Sequence, residues 1–276
     1  MSGMSTYILS HDIGTTGDKA VLFGENGTLQ ASIFSGYQVI NLRPNWVEQD
    51  PEDYWRAFCA ATAELIEKTG INPADIGVIA FSGQMQAALP IDENLEPLRN
   101  SLIWADLRST EEVDRLEKSV GREAVYSITG HRLNASYTAS KIMWIKKHEP
   151  DIFKEVYKIL LPGDYIAMKL TGELTTTPSG LSEGIFWDFS NEKIADFLLE
   201  FFGFDQKVLP RQIPNFSSEI GISSEMAQEF GFPEGTPVSY RGGDQPNNAL
   251  SLNVMKPGEI AATAGTSGVV YGVSDE

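Results

Sequence analysis

The sequence predicts an α/β fold in which helices flank a mixed central sheet. Short apolar runs on either side of Asn26-Gly27 indicate strands joined by a hairpin turn near the start of the chain. A segment with apolar residues at helical spacing follows, between Asp50 and Gly70. Beyond it, the unbroken apolar run Ile76–Phe81 is typical of a strand covered on both faces. Together these segments predict helices packed on a sheet.

The first three strands are expected at residues 7–12, 20–23 and 29–34, where they form an antiparallel meander. Asp50 is a suitable N-cap and a proline follows it at the first helical position, so a helix is expected to begin there. Gly70 ends the apolar spacing of this helix.

Helical segments are expected to dominate residues 110–170. The clearest is Thr138–His148, in which Lys141, Lys146 and Lys147 are predicted to be available to solvent. Irregular stretches rich in threonine, proline and glycine separate the elements that follow, so the later part of the chain is expected to contain long connections.

The last part of the chain returns to a strand-like pattern. A strand from Pro237 to Tyr240 is expected to break at Gly242-Gly243 and to lead into a helix from Pro246 to Val254. Two short apolar runs, Ile260–Ala264 and Val269–Val273, then repeat the design of the opening hairpin. The chain is therefore expected to stop just inside a second domain.

Composition excludes several classes of partner. The formal net charge of −17 would repel a nucleic-acid backbone or an anionic membrane surface. The first ten residues have neither a basic segment nor a long apolar run, so no secretory signal or membrane span is expected. The single cysteine, Cys59, cannot form an internal disulfide and is typical of a reducing compartment. We expect a cytoplasmic protein.

Two short turns combine glycine with hydroxyl side chains, one at Asp12–Gly17 and one at Ala264–Gly268. Their backbone N–H groups and hydroxyls suit phosphate oxygens, and the carboxylate of Asp12 could hold Mg²⁺ through water. The first turn is not a Walker A loop, because Lys19 follows an aspartate and the required Gly-Lys-Ser/Thr order is absent. A simple hairpin turn explains the first segment equally well.

Asp244 follows two glycines and precedes a predicted helix, which places its carboxylate near a helix N-terminus. A helix-capping aspartate is the simpler interpretation of this position alone. Added to the two turns, however, a carboxylate that can take a proton from an alcohol supplies most parts of an alcohol kinase. A serine nucleophile elbow at Gly265–Gly268 is excluded, because the second glycine comes one residue too early.

Longer patterns point to a family. The spacing Ser136-x-Thr138-x-x-Lys141-Ile142-x-Trp144-Ile145-x-Lys147-His148 fits a signature of the FGGY carbohydrate kinases at every specified position. The segments that are similar to xylulokinase-like members are Trp46–Pro51, Gln84-Met85, Trp104–Arg108 and Leu160–Tyr165. The chain thus resembles the amino-terminal portion of this family. The resemblance implies a ribonuclease-H-like fold of the actin, Hsp70 and sugar kinase superfamily.

The resemblance also implies a role for each matching residue. Asp244 would be the general base for phosphorylation of a sugar or polyol hydroxyl, and Asp12 would organise the Mg²⁺ of the bound ATP. The implied contacts to ATP are Asp12, Gly14, Thr15, Thr16, Gly265, Thr266 and Ser267. The implied contacts to the sugar are Gln84, Met85, Gln86, Trp104, Asp106, Arg108 and Gln245. A homodimer is a possible assembly.

The substrate stays open because the chain departs from the family at two polar positions. Gln86 stands where xylulokinase-like proteins usually have histidine, and Gln245–Asn248 replaces a run of small residues. A site built to bond particular hydroxyls can discriminate between substrates by about 10⁴ to 10⁵. Two such changes are therefore enough to alter the preferred sugar.

The resemblance divides the chain into residues 4–254, a substrate-side domain, and residues 255–276, the first strands of a nucleotide-binding domain. A truncated, inactive fragment with weak ATP binding and retained sugar binding is expected. The alternatives are a non-catalytic sugar-binding or sensor module and an actin- or chaperone-like ATPase. The ATPase is disfavoured because Gln84–Gln86 and Asp106–Arg108 would have no role in it.

Overall fold

The computed structural model describes residues 6–264 and 268–275. Its centre is a five-stranded mixed sheet with the order β14-β6-β1-β2-β3. Strands β1 (Tyr7–Ile13), β2 (Gly17–Gly24) and β3 (Leu29–Gly36) form the predicted antiparallel meander, while β6 (Ile76–Gly83) and β14 (Val238–Gly243) extend the sheet in parallel from β1. The predicted α/β fold with a mixed sheet is confirmed.

Smaller sheets and helices surround this centre. The remaining strands are β4 (Ile40–Arg43), β5 (Trp46–Gln49), β7 (Leu89–Ile91), β8 (Ser101–Leu102), β9 (Lys158–Leu160), β10 (Thr175–Thr176), β11 (Trp187–Asp188), β12 (Lys193–Ile194), β13 (Arg211–Gln212), β15 (Ile260–Ala264) and β16 (Gly268–Gly272). The α-helices are α1 (Pro51–Thr69), α2 (Thr110–Val120), α3 (Arg122–Thr129), α4 (Thr138–His148), α5 (Pro150–Glu155), α6 (Pro162–Thr171), α7 (Pro178–Glu183), α8 (Asp196–Phe202), α9 (Ser224–Phe230) and α10 (Asp244–Ser251). Short 3₁₀ turns occupy Pro73–Asp75 and Gln206–Val208.

Helix α1 has the boundaries that its sequence dictates. The Asp50 side chain accepts a hydrogen bond from the Glu52 N–H, and Gly70 adopts a left-handed conformation that closes the last turn. The helix packs on β2 and β3, where Tyr54 and Phe58 are fully buried in the main apolar core. A second apolar core lies among α2, α3, α4 and α8.

Two predictions along the chain are wrong in detail. Strand β14 does not break at its two glycines but runs to Gly243, because it pairs with Ser82 and Gly83 of the central strand β6. Helix α10 therefore begins at Asp244 rather than at Pro246. Pairing with a buried neighbour outweighs the low strand propensity of glycine. The final hairpin, β15–β16, lies within one residue of its prediction.

Among residues 6–264 and 268–275, no helix combines the length and the apolar character that a membrane span requires. The proposed division at residue 254 stays a prediction.

Candidate active site

Three strands of the central sheet end at the same edge. Ile13 of β1 is in register with Gly83 of β6, which is in register with Gly243 of β14. Because these strands are parallel, the segments that follow them emerge together. The topology therefore brings together Gly14–Thr16, Gln84–Gln86 and the start of α10, which the sequence assigns to one site.

A cleft of about 290 Å³ opens at this edge, and we call it the strand-end cleft. Its lining residues are Thr15, Met85, Gln86, Trp104, Asp244, Gln245 and Val269. All except Val269 are predicted site residues, and Val269 reaches the cleft from β16. Trp104 is 40% exposed, and its indole Nε1 donates to Thr15 Oγ1 at 2.9 Å, so the ring forms one wall of the cleft.

The turn after β1 is held from behind through its carbonyl groups. Tyr37 Oη and Gln84 Nε2 donate to the Gly14 carbonyl at 2.5 and 3.3 Å, and Gln49 Nε2 donates to the Thr15 carbonyl at 2.7 Å. The next carbonyl accepts from the Tyr37 N–H. Within the described residues, the N–H groups of Thr15 and Thr16 have no acceptor. The turn thus keeps amide donors free for an anion.

Asp12 lies at the carboxyl end of β1, and its Oδ1 is buried without a partner among the described residues. Burial, the largest cause, and the charge of Asp18 raise the pKa of this carboxyl above its ordinary value. A buried carboxylate oxygen with no partner suits a hydrated cation that also binds phosphate, which is how proteins usually hold Mg²⁺. Within the described residues, no group of three or more histidine, cysteine, aspartate or glutamate side chains is placed to hold a metal ion.

Asp244 is the first residue of α10 and lies partly buried in the strand-end cleft. Burial raises the pKa of its carboxyl, and the charge of Asp12 is the next cause, so the two carboxylates lie close enough to act on one another. Gln245 Nε2 donates to Asp244 Oδ2 at 3.4 Å. A Cβ atom at position 243 would lie 2.5 Å from the Met85 side chain and 2.6 Å from Glu183 Oε1, so this approach to the cleft requires glycine.

Gln86 has a left-handed backbone with φ of +63°, a conformation that costs energy for a residue other than glycine. Lys141 Nζ, which is fully buried, donates to the Gln86 carbonyl at 2.8 Å and also to the Ser136 carbonyl. On the other side, the Gln86 N–H bonds to the carboxylate of Glu183. Two buried ionisable side chains therefore fix the peptide groups of a cleft residue.

The prediction that Lys141 is available to solvent is wrong. Helical spacing places it beside exposed lysines, but the segment that ends at Gln86 covers it. The pKa of Lys141 is lowered to about 7, chiefly by burial. The charge of Asp106 opposes this shift, and the charge of Arg108 adds to it. A neutral amine has two N–H groups, which match the two carbonyls it meets.

We expect this depressed pKa to make stability depend on pH. Between about pH 7 and 9, the unfolded chain keeps a proton on Lys141 that the folded chain releases, so the free energy of unfolding rises with pH, by at most about 1.4 kcal/mol per pH unit. Lys141→Met should remove this rise. Urea unfolding across that range measures it, with Lys146→Met, at a partly exposed position of the same helix, as the control. Equal pH dependence in the parent and Lys141→Met would contradict the assignment.

Three predicted sugar contacts do not line the cleft. Gln84 is buried behind it, where its Nε2 donates to Gln49 Oε1 at 2.7 Å as well as to the opening turn. Arg108 and Asp106 form a buried ion pair in which Arg108 Nη2 lies 2.7 Å from Asp106 Oδ2. The described contacts of these side chains support the cleft walls, and their direct contact with a sugar stays a prediction.

The remaining predicted residues of the second turn, Gly265, Thr266 and Ser267, lie outside the described residues. His11, which the pattern on β1 assigns to packing, is fully buried and adds a polar contact, since its Nδ1 lies 2.7 Å from Asp18 Oδ2. The two residues lie seven positions apart on the paired strands of the first hairpin, so strand pairing could have predicted their contact.

Comparison with known proteins agrees with this architecture. The family model for the FGGY family of carbohydrate kinases, N-terminal domain, matches residues 7–251. The xylulose kinase of Escherichia coli (strain K12) is 30% identical over 264 residues, which are 96% of this chain and 54% of that protein. The gluconokinase of Bacillus subtilis (strain 168) is 31% identical over an alignment of 281 positions, which covers 99% of this chain and 53% of that protein.

The structure of xylulose kinase from Rhodospirillum rubrum matches with a TM-score of 0.91 at 28% identity and covers 96% of this chain and 54% of that one. The chain thus spans about half the length of the curated relatives it matches. The ribonuclease-H-like fold of the sugar kinases, implied by the resemblance, is confirmed. With a family model that covers most of its length, the chain belongs to the FGGY family of carbohydrate kinases.

Proposed function

We propose that the protein transfers a phosphoryl group from ATP to a hydroxyl group of a sugar or polyol, with Asp244 as the general base. The observation that supports this most is the strand-end cleft, where the carboxylate of Asp244 and the turn at Thr15 line one space. An acceptor in that space would lie between a base and a set of free amide donors. This is the arrangement that in-line phosphoryl transfer requires.

In the proposed reaction, Asp244 accepts the proton of the acceptor hydroxyl as its oxygen bonds to the terminal phosphorus of ATP. The bond between that phosphorus and the bridging oxygen breaks, and ADP leaves. The N–H groups of Thr15 and Thr16 hold the oxygens of the transferring group. Mg²⁺, when bound beside Asp12, would neutralise phosphate charge. Gln86 and Trp104 orient the acceptor.

Phosphorylation assays test this proposal. We would measure ADP release by the longest natural form of the protein with ketopentoses, ketohexoses, polyols and gluconate. ADP release that depends on one of these acceptors is expected. ADP release without any acceptor would favour an ATPase instead, and sugar binding without turnover would favour a sugar-binding or sensor module.

The assignment of the acceptor site and the nucleotide-side domain to different parts of the chain is also a proposal. Residues 4–254 would carry the acceptor site, and residues 255–276 would begin the nucleotide-side domain, with Gly265, Thr266 and Ser267 as a second phosphate loop. On this basis we expect the 276-residue chain to bind sugar but to bind ATP only weakly. Calorimetric titration of the chain with ATP in the presence of Mg²⁺ measures this, and a micromolar dissociation constant would contradict it.

A further inference from the structure

A second cavity of about 290 Å³ adjoins the strand-end cleft, and we call it the side cavity. Met85 and Gln86 line both spaces, so the two cavities meet at this short segment. Strand β16 also reaches both, with Val269 in the cleft and Tyr271 in the side cavity. A ligand in the cleft could therefore extend into the side cavity past the Gln86 segment.

The side cavity combines aromatic faces with a connected set of polar groups. Tyr137, Trp187, Phe189 and Tyr271 supply the aromatic surface. His131 joins two hydroxyls, because its Nδ1 lies 3.3 Å from Tyr137 Oη and its Nε2 lies 3.0 Å from Ser182 Oγ. Apolar walls with a few placed donors and acceptors are typical of small-molecule sites. Hydroxyls and imidazole both donate and accept, as a polyol does.

The charged groups around the side cavity disfavour an acceptor whose remote end is anionic. Among the described lining residues, the carboxyl groups are Asp244 and Glu183, and no lysine or arginine lines either space. Burial lowers the pKa of His131, so this ring is neutral near pH 7. Burial, with the nearby charges of Asp164 and Asp244, raises the pKa of Glu183 well above its usual range. A carboxylate or phosphate at the end of the acceptor that enters the side cavity would thus meet no cation from the described walls of that cavity.

The volume of the cleft alone, about 290 Å³, lies just below the roughly 300–1,000 Å³ that small-molecule sites occupy. We propose that the side cavity is a subsite for the end of the acceptor remote from the reacting hydroxyl, and that the acceptor is a neutral sugar or polyol rather than a sugar acid. This inference rests on the proposed function for the reaction at the cleft. What it adds is the length and the charge of the acceptor that the strand-end cleft and the side cavity bind jointly.

Filling the side cavity tests whether the acceptor is long enough to extend into it. Ser182→Phe places a ring where the serine hydroxyl meets His131, and Ser127→Phe, on the exposed face of α3, is the matched control. We would titrate both variants and the parent with glycerol, xylitol, D-xylulose and D-sorbitol by calorimetry, without nucleotide. Ser182→Phe should weaken the tightest five- or six-carbon ligand at least 10-fold and change the shortest ligand that binds less than twofold.

A second variant provides an independent test if Ser182→Phe fails to fold. Phe189→Ala removes a ring of the side cavity that is 54% exposed, and Phe201→Ala, on α8, removes a ring outside it that is 37% exposed. Phe189→Ala should weaken the long ligand about 3- to 10-fold, whereas Phe201→Ala should not. Unchanged affinity for the long ligand in both cavity variants would overturn the subsite, as would equal losses for short and long ligands.

A pair of ligands with the same carbon chain tests whether the site prefers a neutral acceptor. D-Sorbitol and D-gluconate differ at one end, where gluconate carries a carboxylate. We expect the tightest neutral ligand of the panel to bind at least 10-fold more tightly than gluconate. Tighter binding of gluconate, or no binding by any neutral member, would overturn the proposal.

The outcomes separate this inference from the proposed function. If the kinase assay succeeds while the cavity variants bind like the parent, the subsite fails and the kinase stands. If binding follows the expected pattern while no acceptor is phosphorylated, the subsite stands and the kinase fails.

Discussion

Asp244→Asn is expected to lower kcat for phosphoryl transfer by about 10² to 10⁴ and to change the acceptor's dissociation constant by no more than a few-fold. Asparagine keeps the shape of the side chain but cannot accept the hydroxyl proton. Since Asp244 lines the cleft together with Gln86 and Trp104, those contacts to the acceptor would persist. Steady-state kinetics of ADP release, with calorimetry for the acceptor, measure both quantities.

Asp196→Asn is the matched control, because Asp196 is also the first residue of a helix but is exposed and pairs with Lys193. It should leave kcat unchanged. An Asp244→Asn protein that turns over as fast as the parent would remove the base from its assigned role. A large loss of acceptor affinity with little loss of kcat would instead make Asp244 a binding residue.

The pH profile of the parent protein gives a second measure of the same group. The base acts when it is deprotonated, so activity falls as pH drops through its pKa. Burial and Asp12 raise that pKa, which places the acidic limb of kcat/KM above the ordinary aspartate value of about 3.9. An acidic limb at or below that value would show that the group controlling activity is not the buried Asp244.

Much of the site's position follows from local sequence signals. The Asn-Gly turn, the cap at Asp50 and the apolar run before Gln84 define strands and a helix whose order is right. Parallel neighbours then deliver the turn at Thr15 and the base candidate at Asp244 to one edge of the sheet. Such signals act within a few residues, which is why they are readable in one chain.

The orientation of the side chains could not be predicted as well from the sequence. Gln84 and Gln86 are two residues apart in a loop, yet Gln86 lines the cleft and Gln84 bonds to the back of the opening turn. Strand alternation does not apply beyond Gly83, and the left-handed backbone of Gln86 redirects the segment. Similarly, the burial of Lys141 depends on a carbonyl 55 positions away in the sequence. Long-range contacts of this kind leave no periodic pattern.

The largest loss of stability is expected for Arg108→Met. The side chain is 1% exposed and its Nη2 pairs with Asp106 at 2.7 Å and with Glu48 at 2.8 Å. Its guanidinium also stacks on Trp46, 3.9 Å from the ring centre. The change leaves the buried carboxylate of Asp106 without its cation, whereas Glu48 keeps Arg99. Removing one member of a buried ion pair typically costs about 3 to 5 kcal/mol. Urea unfolding at neutral pH measures the loss.

Arg122→Met is the matched control, because Arg122 makes a two-pronged contact with Glu117 on the surface. Exposed pairs contribute little, so this variant should unfold like the parent. If Arg108 held the acceptor directly, Arg108→Met would weaken acceptor binding and leave the free energy of unfolding unchanged. A large fall in that free energy would instead support a structural role for Arg108, whose buried contacts with Asp106, Glu48 and Trp46 hold the loop that carries Trp104.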